Sequence, residues 1–185
     1  MPLVFIGMGS NLGDGILNLR KAWRILGEQP GITSLALSSP YLTRPVAKEA
    51  WVREGRRLSE QLFTNAVGVL ETDLLPHDLL ATLQAVERSL GRDRQKTVDR
   101  AVDLDILYYD ELVFVDEKLQ IPHPGIEERM FVLAPLEELA PDRPHPVKGM
   151  TTRQMKRLLP PACEHDLRRL AWPDNEHPLQ GVNQA

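Results

Sequence analysis

The stretch LFTNAVGVLETDLLPHDLLATLQAVERSLGRDRQKTVDRAVDLDILYY, residues 62–109, decides the fold. Leu62 to Glu71 is a short apolar run of strand length. Pro76 suits a first helical turn. Leu79, Leu80, Leu83, Val86 and Leu90 then recur at spacings of three and four, which gives a helix one apolar face. Gly91 is a natural stop for that helix. After the basic loop 92–100, Val102 to Tyr109 reads as a second strand.

The same order stands upstream. Leu3 to Gly9 is an apolar strand, and Asp14 can cap a helix whose stripe is Ile16, Leu19, Trp23 and Leu26. A strand follows from Ile32 to Tyr41, with Pro40 at its end or on an edge. Two β-α-β units in succession predict an α+β, ferredoxin-like βαββαβ sandwich. Its antiparallel sheet carries helices on one face, with C-terminal additions. Those additions are a hairpin or short edge strands over Leu112–Val115 and Leu119–Ile121, a helix over Glu127–Leu133 that breaks at Pro135, and a short helix over Thr151–Leu159. Residues 1–160 are expected to form one domain and 161–185 a C-terminal extension, with a mobile tail from Pro173.

Working outward, the 185 residues are 42% hydrophobic and 26% charged, a soluble globular composition. The one cysteine, Cys163, excludes an internal disulfide framework and a Cys-rich zinc site. The opening MPLVFIGMGSNLGD lacks the marks of a signal peptide, and no apolar run approaches a membrane span. A cytoplasmic protein is expected. The net charge of −4 argues against a protein that coats nucleic acid. Two segments break the acidic balance. Residues 44–57 and 88–100 each hold five basic residues against two acidic ones, which is either a local anion site or two solvated loops. The first lies in a long charged stretch, 42–61, without hydrophobic period.

Several nucleotide signatures are absent. No G-x-x-x-x-G-K-[ST] occurs, and Gly7-Met8-Gly9 continues to leucine where a dinucleotide fingerprint needs its third glycine. The aromatic RNA-binding motif and the serine nucleophile elbow are missing too. The sharpest feature is Val102-Asp103-Leu104-Asp105-Ile106. In a strand, Asp103 and Asp105 share a face while Leu104 and Ile106 point to the core. Two adjacent carboxylates repel, and a cation between them relieves the repulsion. Oxygen ligands with room for water suit Mg²⁺ bound together with substrate phosphates. The arginines at 92, 94 and 100 are what a polyphosphate would require. A plain solvent-facing strand is the simpler reading. His123, between Pro122 and Pro124, is either a held donor or a turn residue. Glu87, beside the core stripe, is either a boundary charge or a nucleotide contact.

Taken together, Gly9-Ser10-Asn11-Leu12-Gly13-Asp14, Tyr41-Leu42-Thr43, Phe63-Thr64-Asn65-Ala66, Glu87 through Arg94, Val102 through Leu107, Pro122-His123-Pro124 and Arg129 through Leu136 resemble one family. That family is 6-hydroxymethyl-7,8-dihydropterin pyrophosphokinase of folate biosynthesis, and the match runs over about residues 3 to 142. The resemblance implies transfer of pyrophosphate from ATP to the hydroxymethyl group of the reduced pterin, leaving AMP, with no covalent intermediate. It implies that Asp103 and Asp105 hold two Mg²⁺ ions and that Arg92 and Arg100 neutralise the transferred group. Gln84, Glu87, Arg94, Lys118, His123 and Arg129 would line the ATP site. Phe63 and Phe131 would sandwich the pterin, with Asn11, Thr43, Val46 and Asn65 around it.

There are departures from the family pattern. The basic loop reads Arg94-Gln95-Lys96-Thr97-Val98-Asp99-Arg100-Ala101, without the usual Trp and Gly-Pro-Arg, and Phe63 stands where tyrosine is common. The expected partners are ATP and a reduced pterin, without nucleic acid or membrane, and the expected state is a monomer. The long 42–61 loop is expected to order over the nucleotide. A nucleic-acid-binding module and a metal-dependent phosphohydrolase are the alternatives. The first predicts steep salt dependence, the second phosphate release without an acceptor.

Overall fold

Alternation in the first strand sorts the molecule into two layers. In β1 (Leu3–Ser10), Val4, Ile6 and Met8 enter one buried cluster and Phe5 enters another. Successive side chains of a strand leave opposite faces, so each set belongs to one side of the sheet. The chain is described by a computed structural model that covers residues 1–44, 62–91, 101–161, 163 and 167–173.

The remaining strands are β2 (Ile32–Leu37), β3 (Tyr41–Thr43), β4 (Phe63–Thr72), β5 (Asp103–Tyr109), the short pair β6 (Phe114–Val115) and β7 (Gln120–Ile121), and β8 (Leu167–Arg169). The main sheet is antiparallel, ordered β5-β1-β4-β3-β8, with β2 also paired to β4. Its helices are α1 (Gly15–Gly27) and α2 (Pro76–Ser89), which bury Leu19, Trp23 and Leu26 and Leu79, Leu83 and Val86 against Val4, Ile6, Leu70, Leu104 and Ile106. The Asp14 carboxylate accepts the Leu17 N–H at 3.0 Å and caps α1. Pro76 opens α2, and Gly91 follows its end at φ 95°. This is the expected βαββαβ order.

Three expectations change. The strand over Ile32–Tyr41 divides at Ser38–Pro40. Pro40 has no N–H for a ladder, and Ser38 bonds Val67 through its own backbone at 2.9 Å while its hydroxyl accepts the Val67 N–H at 3.0 Å. The helix expected at Glu127–Leu133 is α3 (Met130–Leu139), and it runs through Pro135. The bond that proline removes is the one to the Phe131 carbonyl in the first turn, and burial of Met130, Val132, Leu133, Ala134 and Leu136 holds the helix. Helices on one face describes α1 and α2 only. α3 and the short α4 (Thr152–Leu158) cover the other side, where Val132, Leu133, Leu136 and Met155 join Phe5, Val67, Val69, Leu107 and Tyr108.

The segment read as an extension also contributes to the sheet. β8 pairs with β3, and the buried Trp172 donates its indole N–H to the Ser38 carbonyl at 2.9 Å. Residues 174–185, expected as a tail, lie outside the described residues.

Candidate active site

The Val102–Ile106 pattern folds as its alternation requires. Leu104 and Ile106 are buried beneath α2, while Asp103 and Asp105 stand half-buried on the opposite face. Their Cα atoms are two residues apart along an extended chain, about 7 Å. On β1, Gly9 pairs with Asp103 and Gly7 with Asp105. These glycines share the carboxylates' face and present no side chain there, which lets the Leu107 side chain lie against Gly7 and the Asn65 Oδ1 against Gly9. A bulge at Leu107 then turns both Leu107 and Tyr108 toward α3 and α4.

Among the described residues β5 is the end strand of the sheet, and one of its edges has no neighbouring strand. Two residues take that place. Glu87, at the C-terminal end of α2 and 1% exposed, accepts the Leu104 N–H at 2.8 Å. His123 donates its backbone N–H to the Leu107 carbonyl at 3.0 Å. The backbone between the two acids is therefore held from α2, and the chain carrying His123 is laid along the same edge.

His123 is half-buried. Burial, reinforced by the positive charge of Arg129 and opposed by Asp103, brings its pKa down to about 4. Its imidazole is neutral at pH 7. The Gly125 N–H donates to Nδ1 at 3.1 Å, which leaves the ring proton on Nε2. Arg129 precedes α3, with its guanidinium 5.9 Å from the centroid of Phe131. A Cβ on Gly125 would stand 2.7 Å from the Arg129 Cζ, so the glycine makes room for that guanidinium.

Across the same face, the Asn65 Nδ2 donates to the Thr43 hydroxyl at 2.9 Å, with both side chains buried. This turns the Asn65 Oδ1 toward Gly9, whose Cβ would lie 3.3 Å away. Phe63 pairs with Thr43 at the start of β4, and the half-buried Phe131 stands in the first turn of α3. Among the described residues no ring contact joins Phe63 to Phe131. Asn11 is buried directly after β1.

The sequence-derived residues divide into three groups. Asp103, Asp105, Glu87, His123 and Arg129 are brought together by the free edge of β5 and the turn before α3. Asn11, Thr43, Asn65, Phe63 and Phe131 frame the adjoining surface. Gln84 is half-buried one turn before Glu87, and Lys118 lies exposed in the turn between β6 and β7, at the far end of β7 from His123. That turn is tied to the start of α2 by Asp116, 2.7 Å from His77. Arg92, Arg94, Arg100 and Val46 lie outside the described residues, as do residues 45–61 of the long loop. The motif reading weighs Gly7 and Gly9 only as a dinucleotide fingerprint and a family motif, not as partners of the acids, and does not include Gly125. The pair Gly7 and Gly9 carried a usable signal, since two glycines two apart in a strand add no side chain to one face.

Comparison with known proteins identifies the family. Residues 5–141 match the family model of 7,8-dihydro-6-hydroxymethylpterin-pyrophosphokinase. A 2-amino-4-hydroxy-6-hydroxymethyldihydropteridine pyrophosphokinase of Methylorubrum extorquens is 36% identical over 88% of this chain and 96% of its own length. The Bacillus subtilis protein of the same name is 37% identical over 74% of this chain and 77% of its own. A folic acid synthesis protein of Dictyostelium discoideum is 36% identical over 85% of the chain, which spans only 22% of that relative. A crystal structure of Plasmodium falciparum HPPK-DHPS superposes with a TM-score of 0.69 at 13% identity, over 91% of this chain and 46% of that one, and shows the shared fold. Among the described residues no helix is long and apolar enough to cross a membrane. The matched span and the two near-full-length relatives lead to one assignment: the chain belongs to the 7,8-dihydro-6-hydroxymethylpterin-pyrophosphokinase family.

Proposed function

We propose that this chain transfers the β,γ-pyrophosphoryl group of ATP to the hydroxymethyl oxygen of 6-hydroxymethyl-7,8-dihydropterin. The pterin oxygen bonds to the β-phosphorus, the bond from that phosphorus to the bridging oxygen of the α-phosphate breaks, and AMP leaves. The hydroxyl proton is lost to solvent. The family's named activity supports the reading, and one observation of the site carries it. Asp103 and Asp105 share one face of β5 opposite Gly9 and Gly7 of β1, and the neutral imidazole of His123 lies within the charge influence of both Asp103 and Arg129.

The donor set suits Mg²⁺. Two carboxylates on one strand face are too few to enclose an ion by themselves, and among the described residues no group of three or more His, Cys, Asp or Glu side chains could hold one. Mg²⁺ favours such sites, where phosphate oxygens and water complete the octahedron. Asp103 and Asp105 would hold two ions, whose chemistry is to neutralise and orient the ATP phosphates. Arg129 would bind phosphate through its fork of donors. His123 would donate its Nε2 proton to a phosphate oxygen without adding charge. Gln84, Lys118 and Arg94 would hold the rest of the nucleotide, with Glu87 beneath them, and Arg92 and Arg100 would face the transferred group. Phe63 and Phe131 would stack the pterin, and the Asn65 Oδ1 would accept a pterin N–H. Asn11, Thr43 and Val46 would complete its edge. Positioning and electrostatics suffice for transfer of this kind, and no nucleophilic side chain is required.

The test is product identity. Incubated with Mg²⁺ and ATP, the chain should form AMP and the pterin diphosphate together, and only when the pterin is present. Asp103→Asn and Asp105→Asn should each remove the activity while circular dichroism stays unchanged. Phosphate release without the acceptor would replace the proposal with a phosphohydrolase, and normal turnover in both variants would remove the metal assignment.

A further inference from the structure

Behind the proposed pterin surface lies a polar junction that the reaction does not use. Glu138, near the C-terminal end of α3, receives three donors from three segments. The Tyr41 hydroxyl of β3 reaches its Oε1 at 2.6 Å. The Ser39 N–H, in the bend before β3, reaches its Oε2 at 2.8 Å. The Arg169 Nε of β8 lies 2.7 Å from Oε1 and 3.0 Å from the Ser39 hydroxyl. Burial, with the adjacent carboxylate, raises the Tyr41 pKa, so the phenol remains a donor.

The junction continues an apolar seam. Ala134 and Met130 lie one and two turns before Glu138 on the same helical face. They pack with Tyr41, and Leu167 of β8 packs against the same group. That face therefore seats α3 on β3 and β8 by two apolar contacts and one carboxylate. Arg129 and Phe131 stand at the free end of α3, and Thr43 lies two residues beyond Tyr41. Any tilt of α3 about this seam changes the distance from Phe131 to Phe63 and Asn65.

We infer that Glu138, Tyr41 and Arg169 form a latch through which the C-terminal strand sets the width of the pterin-binding gap, and that these three are positioning residues for the pterin. The inference rests on the pterin reading above. It concerns the pterin more than ATP, because Asp103, Asp105 and Glu87 are held from β1 and α2, which the latch does not touch, and Arg129 is the ATP-site residue that α3 carries. Glu138 has the largest part, since its loss leaves the buried Tyr41 hydroxyl and the Ser39 N–H without their acceptor. Arg169 has the smallest, being 65% exposed and its ion pair screened by water.

Titration with 6-hydroxymethyl-7,8-dihydropterin, with Mg²⁺ and a non-hydrolysable ATP analogue present, tests the latch. Glu138→Ala should weaken pterin binding at least tenfold and Arg169→Ala about threefold. Tyr41→Phe, which keeps the ring and preserves folding, should fall between them. Arg169→Lys should restore most of the loss. The dissociation constant of the ATP analogue should rise by less than that of the pterin in every variant. Unchanged pterin affinity in Tyr41→Phe and Arg169→Ala would overturn the latch, and so would equal losses for both ligands. A wild-type chain that binds the analogue but no pterin would overturn the functional reading itself, and the latch with it.

Discussion

Replacing Glu87 separates two roles that one carboxylate can play. Its Oε1 lies 2.8 Å from the Leu104 nitrogen, in a place 1% exposed, and Leu104 stands between Asp103 and Asp105. Glu87→Ala leaves a buried N–H without an acceptor, which costs about 1–3 kcal/mol. The lost methylene adds about 0.8 kcal/mol of burial. The sum is a destabilisation of about 2–4 kcal/mol. Glu87→Gln keeps an oxygen at the same reach and should cost about 1 kcal/mol or less. Urea unfolding with unchanged slope measures both. Turnover should follow the same order, because misplacement of reacting groups by about 1 Å costs about a hundredfold. Binding of the ATP analogue to the glutamine variant should stay near the wild-type value. If Glu87→Ala is as stable as the wild type while both variants lose ATP affinity, Glu87 is a nucleotide contact and the reasoning fails.

Three further outcomes follow from other parts of the molecule. Phe131→Ala should weaken pterin binding by about 1–3 kcal/mol, the usual worth of a stacked ring, and ATP binding by less; equal losses in calorimetry would make Phe131 a core residue only. Gly68→Ala should destabilise the fold by about 1–3 kcal/mol, since its Cβ would stand 2.7 and 2.9 Å from the Trp23 ring atoms Cη2 and Cε3; Trp23→Leu in the same chain should recover part of the loss, and full stability of Gly68→Ala alone would contradict the close approach. Burial keeps His145 and His123 neutral, the latter down to about 4, whereas the unfolded chain protonates both near pH 6.5. The unfolded state then binds more protons, so stability should be highest above pH 6.5 and fall as pH drops from there toward 4. Denaturant unfolding at pH 7.5, 6 and 5 should show that fall, with a shallower slope in His145→Gln; a flat or rising profile would contradict it.

Periodicity determined the order of elements in this protein. The stripes Leu79-Leu83-Val86 and Leu19-Trp23-Leu26, the cap at Asp14 and the stop at Gly91 are local signals, read within one or two turns of chain. The alternation of Asp103 with Leu104 is equally local, and it placed both acids on one face before any partner strand was known. The recurrence of family motifs in one order added the reaction. Tertiary structure decided what depends on neighbours remote in sequence. Glu87 looked like a boundary charge because its partner, the Leu104 N–H, exists only once β5 forms the sheet edge. Gly7 and Gly9 became partners of the acids only through the β1–β5 register. α3 runs through Pro135 because packing on the second face outweighs one lost hydrogen bond. Trp172 and β8, in a segment without period, were placed by pairing with β3 and a bond to Ser38 more than a hundred residues away. A three-residue edge strand buries too little of its own length to leave a pattern in the sequence, and its position is fixed by the surface it meets.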